Sequence, residues 1–216
     1  MALNKQTGNM YSFVTHTWNP IRGRCPHDCS YCYMKAYPQP ELHFANHEMK
    51  TNLGEGNFIF VGSSCDMWAD EVPFEWLTLA VRNCYAYRKN KYLYQTKNPS
   101  RFSEFEYPDD MDVVFGTTIE SNRYSTFSKA PSPLMRKQAI QGIKLPKMVS
   151  IEPVMDFDID ILIDWVRQIA PEFVSIGADS KRHNLPEPTP DKVLALIEEL
   201  SKITIVKVKD NLRRLM

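Results

Sequence analysis

Short apolar runs alternate with amphipathic stretches along the 216-residue chain. Seven runs rich in β-branched and aromatic residues predict strands at Met10–Thr17, Asn57–Ser63, Lys91–Thr96, Val113–Ile119, Lys147–Pro153, Phe173–Ala178 and Thr204–Lys209. Helical spacing lies between several of them. In Pro73–Asn90 the residues Trp76, Leu79, Ala80, Cys84 and Tyr87 recur near that spacing, with Pro73 at the start and Cys84 on the apolar side. Asp158–Ala170 and Thr189–Lys202 are amphipathic with acidic first turns, and Pro190 suits the first turn of the second. Residues 128–146 read as a loop, a short helix and a proline stop.

Alternation of nearly continuous apolar strands with helices predicts a parallel sheet covered by helices. The expected fold class is therefore α/β, an incomplete (β/α) barrel of about six to seven parallel strands with helices outside. A complete eightfold barrel takes ~250 residues, and a flat doubly wound sheet is the competitor. One domain over residues 1–216 is expected, because no repeat, linker or low-complexity tract interrupts the pattern and Ser180–Pro190 reads as a polar loop. An incomplete barrel leaves a lateral opening, which suits a large substrate.

Charge adds little. Lys and Arg number 26, as do Asp and Glu, so no global field draws the chain to nucleic acid or an acidic membrane. No apolar run approaches the ~18 residues of a membrane span, and the first residues lack a secretory pattern. A cytoplasmic location is expected, with thiols kept reduced. Five cysteines, three of them clustered, argue against a disulfide framework.

The clustered three carry the chemistry. Cys25, Cys29 and Cys32 stand in "CPHDCSYC", a C-x3-C-x2-C spacing after the first predicted strand. Thiolates are soft ligands for iron–sulfur clusters, zinc or Cu(I). Four-iron clusters usually take four cysteines, so three leave one iron open to a small molecule, as in catalytic zinc sites. Structural zinc with His27 as fourth ligand is the alternative, although His27 lies in a tight loop between two of the cysteines.

C-x3-C-x-aromatic-C, with Tyr31 before Cys32, resembles the signature of the radical S-adenosylmethionine (SAM) superfamily. "TWNP" at Thr17–Pro20 and "CY" at Cys32–Tyr33 look like a family of small phage and bacterial radical SAM-like proteins, remotely similar to the spore photoproduct lyase branch. "QTKNP", "SIEPV" and "VKVKDNL" match that family more loosely. The resemblance implies a [4Fe-4S] cluster on Cys25, Cys29 and Cys32, with SAM on the fourth iron. It implies an external one-electron reductant, cleavage of SAM to methionine and a 5′-deoxyadenosyl radical, and hydrogen abstraction from a substrate. A nucleobase in DNA or RNA leads on family analogy. A non-catalytic zinc- or cluster-binding protein that recruits a partner is the alternative.

In parallel β/α folds ligands sit at the carboxyl ends of the strands, so candidate residues are read there. Ser63, Ser64 and Asp66 stand where the superfamily usually carries a glycine-rich acidic stretch for the methionine amino group. Cys65 is a candidate hydrogen-atom donor, or a small apolar filler. Lys97 is a candidate for the SAM carboxylate. Thr118, Glu120 and Asn122 are candidates for the ribose hydroxyls. Glu152 is expected in the site or in an ion pair with Lys209. Gly177 and Asp179 are expected near the adenine, flanked by Tyr31 and Tyr33. Lys207 and Lys209 share one side of the last strand, facing either the barrel interior or solvent.

Overall fold

The computed structural model describes residues 3–216. The described residues form ten strands: β1 (Asn4–Lys5), β2 (His16–Trp18), β3 (Ile21–Arg22), β4 (His43–Phe44), β5 (Phe58–Val61), β6 (Lys91–Thr96), β7 (Val113–Thr118), β8 (Lys147–Ile151), β9 (Phe173–Ile176) and β10 (Ile205–Val208). The α-helices are α1 (Phe74–Ala86), α2 (Pro133–Gln141), α3 (Ile159–Ile169) and α4 (Pro190–Ser201). Eight strands form one sheet in the order β1-β2-β5-β6-β7-β8-β9-β10; β3 and β4 form a separate hairpin-like pair. Within the eight-stranded sheet every pair from β2 onward is parallel and only β1 runs antiparallel, on β2; β3 and β4 pair antiparallel. Seven parallel strands with flanking helices thus form the incomplete α/β barrel that the sequence pattern predicts. No helix among the described residues is long and apolar enough to cross a membrane.

The two faces of each strand divide the core. Ile59, Val61, Tyr92, Tyr94, Val113, Phe115, Val149, Ile151, Val174 and Ile176 pack outward under the helices. Phe58, Phe60, Leu93, Val114, Met148 and Phe173 form a second cluster with Tyr11, Phe13 and Val14. Strand residues alternate sides with period two, so this second cluster is the lumen.

The first predicted strand is the main departure. Only its end enters the sheet, as β2, while Met10, Tyr11, Phe13 and Val14 turn inward. Phe13 meets Phe58 of β5 at 5.6 Å and Phe173 of β9 at 4.9 Å between ring centroids. Those strands lie four places apart, roughly 19 Å in a flat sheet. The sheet therefore curls around Phe13. Tyr11 reaches Ser150 of β8 with its hydroxyl at 2.8 Å, and Lys209, just past β10, lies 4.8 Å above its ring. The expected lateral opening is corrected here: Met10, Tyr11, Phe13 and Val14 fill the lumen of a sheet whose edges are β1 and β10. Apolar alternation looks the same in a strand and in an inserted plug, so the local pattern could not separate them.

Candidate functional site

The cysteine loop follows β3 and ends at a short 3-10 helix, Tyr33–Ala36. Its turns are made by Asp28 N–H donating to Cys25 O and Cys32 N–H to Cys29 O, each at 3.2 Å. Asp28 adopts φ +45°, a left-handed conformation that Asp tolerates better than most residues. Lys35 and Lys129 pair with its carboxylate at 2.7 and 3.1 Å. Residues 127–129 grip the loop from outside. Ser30 N–H donates to Phe127 O at 2.7 Å, Lys129 N–H to His27 O at 2.8 Å, and the Cys29 thiol to Ser128 Oγ at 3.4 Å.

This loop borders a cleft of about 150 Å³ at the carboxyl ends of β5, β6 and β7. Cys25, Cys29 and Cys32 line it, with Tyr33, Ser63, Ser64, Cys65, Asp66, Lys97 and Thr118. Phe60 and Gln95 complete the lumen side. Cys65 is buried and faces Cys25, a contact that draws the Cys25 thiol down to about 6 against its burial. The same contact, with burial, raises Cys65.

"TWNP" acquires a physical role. Trp18 is fully buried and donates from its indole to Glu48 O at 3.2 Å. Asn19 Oδ1 accepts from Ser64 N–H at 2.9 Å and Ser63 Oγ at 3.2 Å, so it sets the turn after β5. Gly62 opens that turn at φ +79°, where a Cβ is strained and would meet Met67 at 3.1 Å. The Tyr33 hydroxyl, at the mouth, donates to Ser63 O at 3.0 Å.

Two carboxylates lie behind the thiols, and both are engaged. Asp66 accepts from Thr96 Oγ1 at 2.9 Å, Lys97 N–H at 2.8 Å and Trp68 N–H at 3.0 Å. Its Oδ2 lies 2.9 Å from His27 Nε2, an ion-pair contact aligned too poorly for a hydrogen bond. Burial alone would pull His27 down, but Asp66 more than reverses it and raises the imidazole. Burial would raise Asp66, but His27 and the donors of Lys97 and Thr96 leave it lowered. The Nε2 of His27 thus serves Asp66 rather than the cysteines.

Glu120 is buried at the end of β7. Arg136 of α2 donates to it at 2.7 Å, the Tyr31 hydroxyl donates to its other oxygen, and Lys97 Nζ lies 3.4 Å away. Lys97 also sits 5.4 Å over the Tyr31 ring. Arg136 additionally donates to Thr118 O at 3.0 Å. Burial would raise Glu120, but Arg136 and Lys97 hold it below its ordinary value. Burial would lower Lys97, but Cys29 and Glu120 hold it above. Both stay charged. Glu120, expected at ribose hydroxyls, is thus engaged by Arg136, Lys97 and Tyr31. Arg136 was not read from the sequence, since a helical Arg 16 positions on carries no local sign of this partner.

Other expected residues fall elsewhere. Glu152 pairs with Lys209 at 2.8 Å and accepts from Asn9 and Asn211, each at 3.1 Å. This is the ion-pair reading, and Lys209 therefore faces the interior. Lys207 lies 5.2 and 5.1 Å over the Phe13 and Phe173 rings. A Cβ on Gly177, expected near adenine, would lie 2.7 Å from the Glu152 carboxyl, so the glycine makes room for that side chain. Asp179 accepts from Lys181 N–H at 3.0 Å and binds His183 Nδ1 at 2.7 Å, closing its own loop. Asn122 exchanges hydrogen bonds with Asp158, at 2.8 and 3.0 Å. None of these lines the cysteine cleft. Gln95 does and was missed: its Nε2 donates to Thr118 Oγ1 at 3.1 Å, while its Oε1 is buried without a partner.

No protein-family model and no curated protein matches the sequence. Solved structures do match in fold. Spore photoproduct lyase complexed with dinucleoside spore photoproduct is 12% identical, with TM-score 0.60 over 92% of this chain and 64% of that one. A double variant of that enzyme with bound AdoMet and dinucleoside spore photoproduct is 11% identical, with TM-score 0.58 over 94% and 66%. A Cys-to-Ala variant is 13% identical, with TM-score 0.62 over the same shares. The chain spans just under two thirds of these proteins' length. At such identity the likeness concerns the backbone: this chain has a partial α/β barrel of the kind found in spore photoproduct lyase.

Proposed function

We propose that the chain is a radical SAM enzyme whose cofactors lie in the cleft beside Cys25, Cys29 and Cys32. One observation carries the reading: a C-x3-C-x2-C loop borders a cleft at the carboxyl ends of the strands of an incomplete parallel barrel. The donor set fits a [4Fe-4S] cluster, which spreads its thiolates over separate irons. Among the described residues no three His, Cys, Asp or Glu side chains converge on one metal ion, as a single tetrahedral zinc would need.

When bound, such a cluster supplies one electron, taken from an external reductant, for cleavage of SAM to methionine and a 5′-deoxyadenosyl radical. The chain supplies the rest. Cys25, Cys29 and Cys32 hold the cluster and leave a fourth position for SAM. The turn Gly62–Asp66 offers backbone and hydroxyl groups to the SAM amino acid portion. Gln95 and Thr118 line the lumen side with polar atoms for the nucleoside, and Tyr33 covers the mouth. Below them Tyr11, Phe13 and Val14 close the lumen with apolar surface, which keeps water from entering there.

The proposed substrate class is a nucleobase in DNA or RNA, supported by the dinucleoside photoproduct bound in the solved structures of similar fold. Anaerobic reconstitution tests the function. The expected result is about four iron and four sulfide per chain, with methionine and 5′-deoxyadenosine formed on reduction with SAM. A colourless protein holding one zinc would overturn it.

A further inference from the structure

The cleft wall carries a charge imbalance. Lys97, Arg136 and Glu120 have side chains only 16%, 4% and 6% exposed. Two cations thus share one carboxylate, leaving one positive charge in excess. The excess sits on Lys97. Arg136 holds Glu120 at 2.7 Å and two backbone carbonyls besides, Thr118 O and Pro131 O. Among the described residues the Lys97 ammonium has Glu120 at 3.4 Å, beyond hydrogen-bond geometry, the face of Tyr31, and the nearby Cys29 and Asp66, the last already paired with His27. The neighbouring charged pair, His27 and Asp66, balances itself. A buried charge is costly unless it meets an opposite one, and Lys97 lines the cleft with the three cysteines.

We propose that the Lys97–Glu120–Arg136 group is the counter-charge of an iron–sulfur cluster on Cys25, Cys29 and Cys32 and raises its reduction potential. The inference rests on the cluster reading above. An oxidised four-iron cluster with three thiolates carries one net negative charge, which the single excess positive charge cancels. Taking up an electron adds a second negative charge, and a fixed cation in a low-dielectric wall favours that state. Lys97 and Glu120 thereby act as positioning residues for charge.

The test is the midpoint potential of the reconstituted cluster, read by spectroelectrochemical titration beside iron and sulfide content. Lys97→Met is expected to lower the potential, and Lys97→Arg to keep it near the wild-type value. Glu120→Gln adds to the excess and is expected to raise it. The double variant is expected to return toward wild type. Loss of packing alone cannot move two neighbouring substitutions in opposite directions. Fully loaded variants that all match wild type, or that all shift one way, would overturn the proposal while leaving the cluster reading intact. A wild-type protein that holds no cluster would overturn both. If Glu120→Gln does not fold, the contrast of Lys97→Met with Lys97→Arg decides alone.

Discussion

The carboxyl ends of β5–β7 and those of β8–β10 both present polar side chains to the top of the barrel, yet they are built differently. At the first, a turn, a thiol loop and a buried cation in excess leave a cleft. At the second, Glu152 meets Lys209, Asn9, Asn211 and a glycine shaped to admit it, and the group closes on itself. The difference lies in whether donors and acceptors are matched. A matched group costs little to bury and needs no ligand, whereas an unmatched one is stable only with a partner still to come.

The largest effect expected from breaking this contrast is at the thiols. Replacing Cys25, Cys29 or Cys32 with Ala should abolish most iron binding and all SAM cleavage, measured by iron and sulfide assay and by product analysis. Full iron retention in any one variant would refute its place as a ligand.

Glu152→Gln should destabilise instead. It leaves Lys209 with an amide where a carboxylate stood, and losing one partner of a buried pair costs about 3 kcal/mol. Urea unfolding measures this. AdoMet affinity of the loaded protein should stay unchanged, and a weakened affinity with intact stability would move Glu152 into the site. Phe13→Ala should cost about as much, roughly 3 kcal/mol by loss of a packed aromatic ring, and a loss well below 1 kcal/mol would show that the lumen is filled otherwise.

A smaller effect concerns pH. His27 is raised above its ordinary value of 6.5 and Asp66 lowered below its ordinary 3.8. The raised imidazole contributes fully below its unfolded value and loses that contribution as pH rises through its folded value. The lowered carboxylate contributes fully above its unfolded value and loses it as pH falls through its folded one. The pair should therefore stabilise cluster-free protein most between pH 3.8 and 6.5. Thermal melting of wild type against Asp66→Asn should show the difference shrinking on either side, and a flat difference would deny the pairing. Smallest of all, Tyr33→Phe removes one partly exposed hydrogen bond to Ser63 O and should cost about 0.5 kcal/mol.

The order of the seven parallel strands and the helices between them, and the thiol loop, were legible in the chain alone. These are local properties: β-branched runs, amphipathic spacing and a motif within eight residues. The chain alone did not separate Met10–Val14 from a strand, because a plug and a strand share one apolar alternation and only curvature of the sheet decides between them. It did not pair Arg136 with Glu120, or Asn19 with the turn after β5, because such partners are joined by topology and not by spacing. Nor did it tell Glu120 from Glu152, two acidic residues near strand ends with similar surroundings in the chain. The folded arrangement sets one beside an unbalanced cation at the thiols and the other beside a lysine that satisfies it. Charge balance in a buried site is a sum over distant residues, and the fold alone brings its members together.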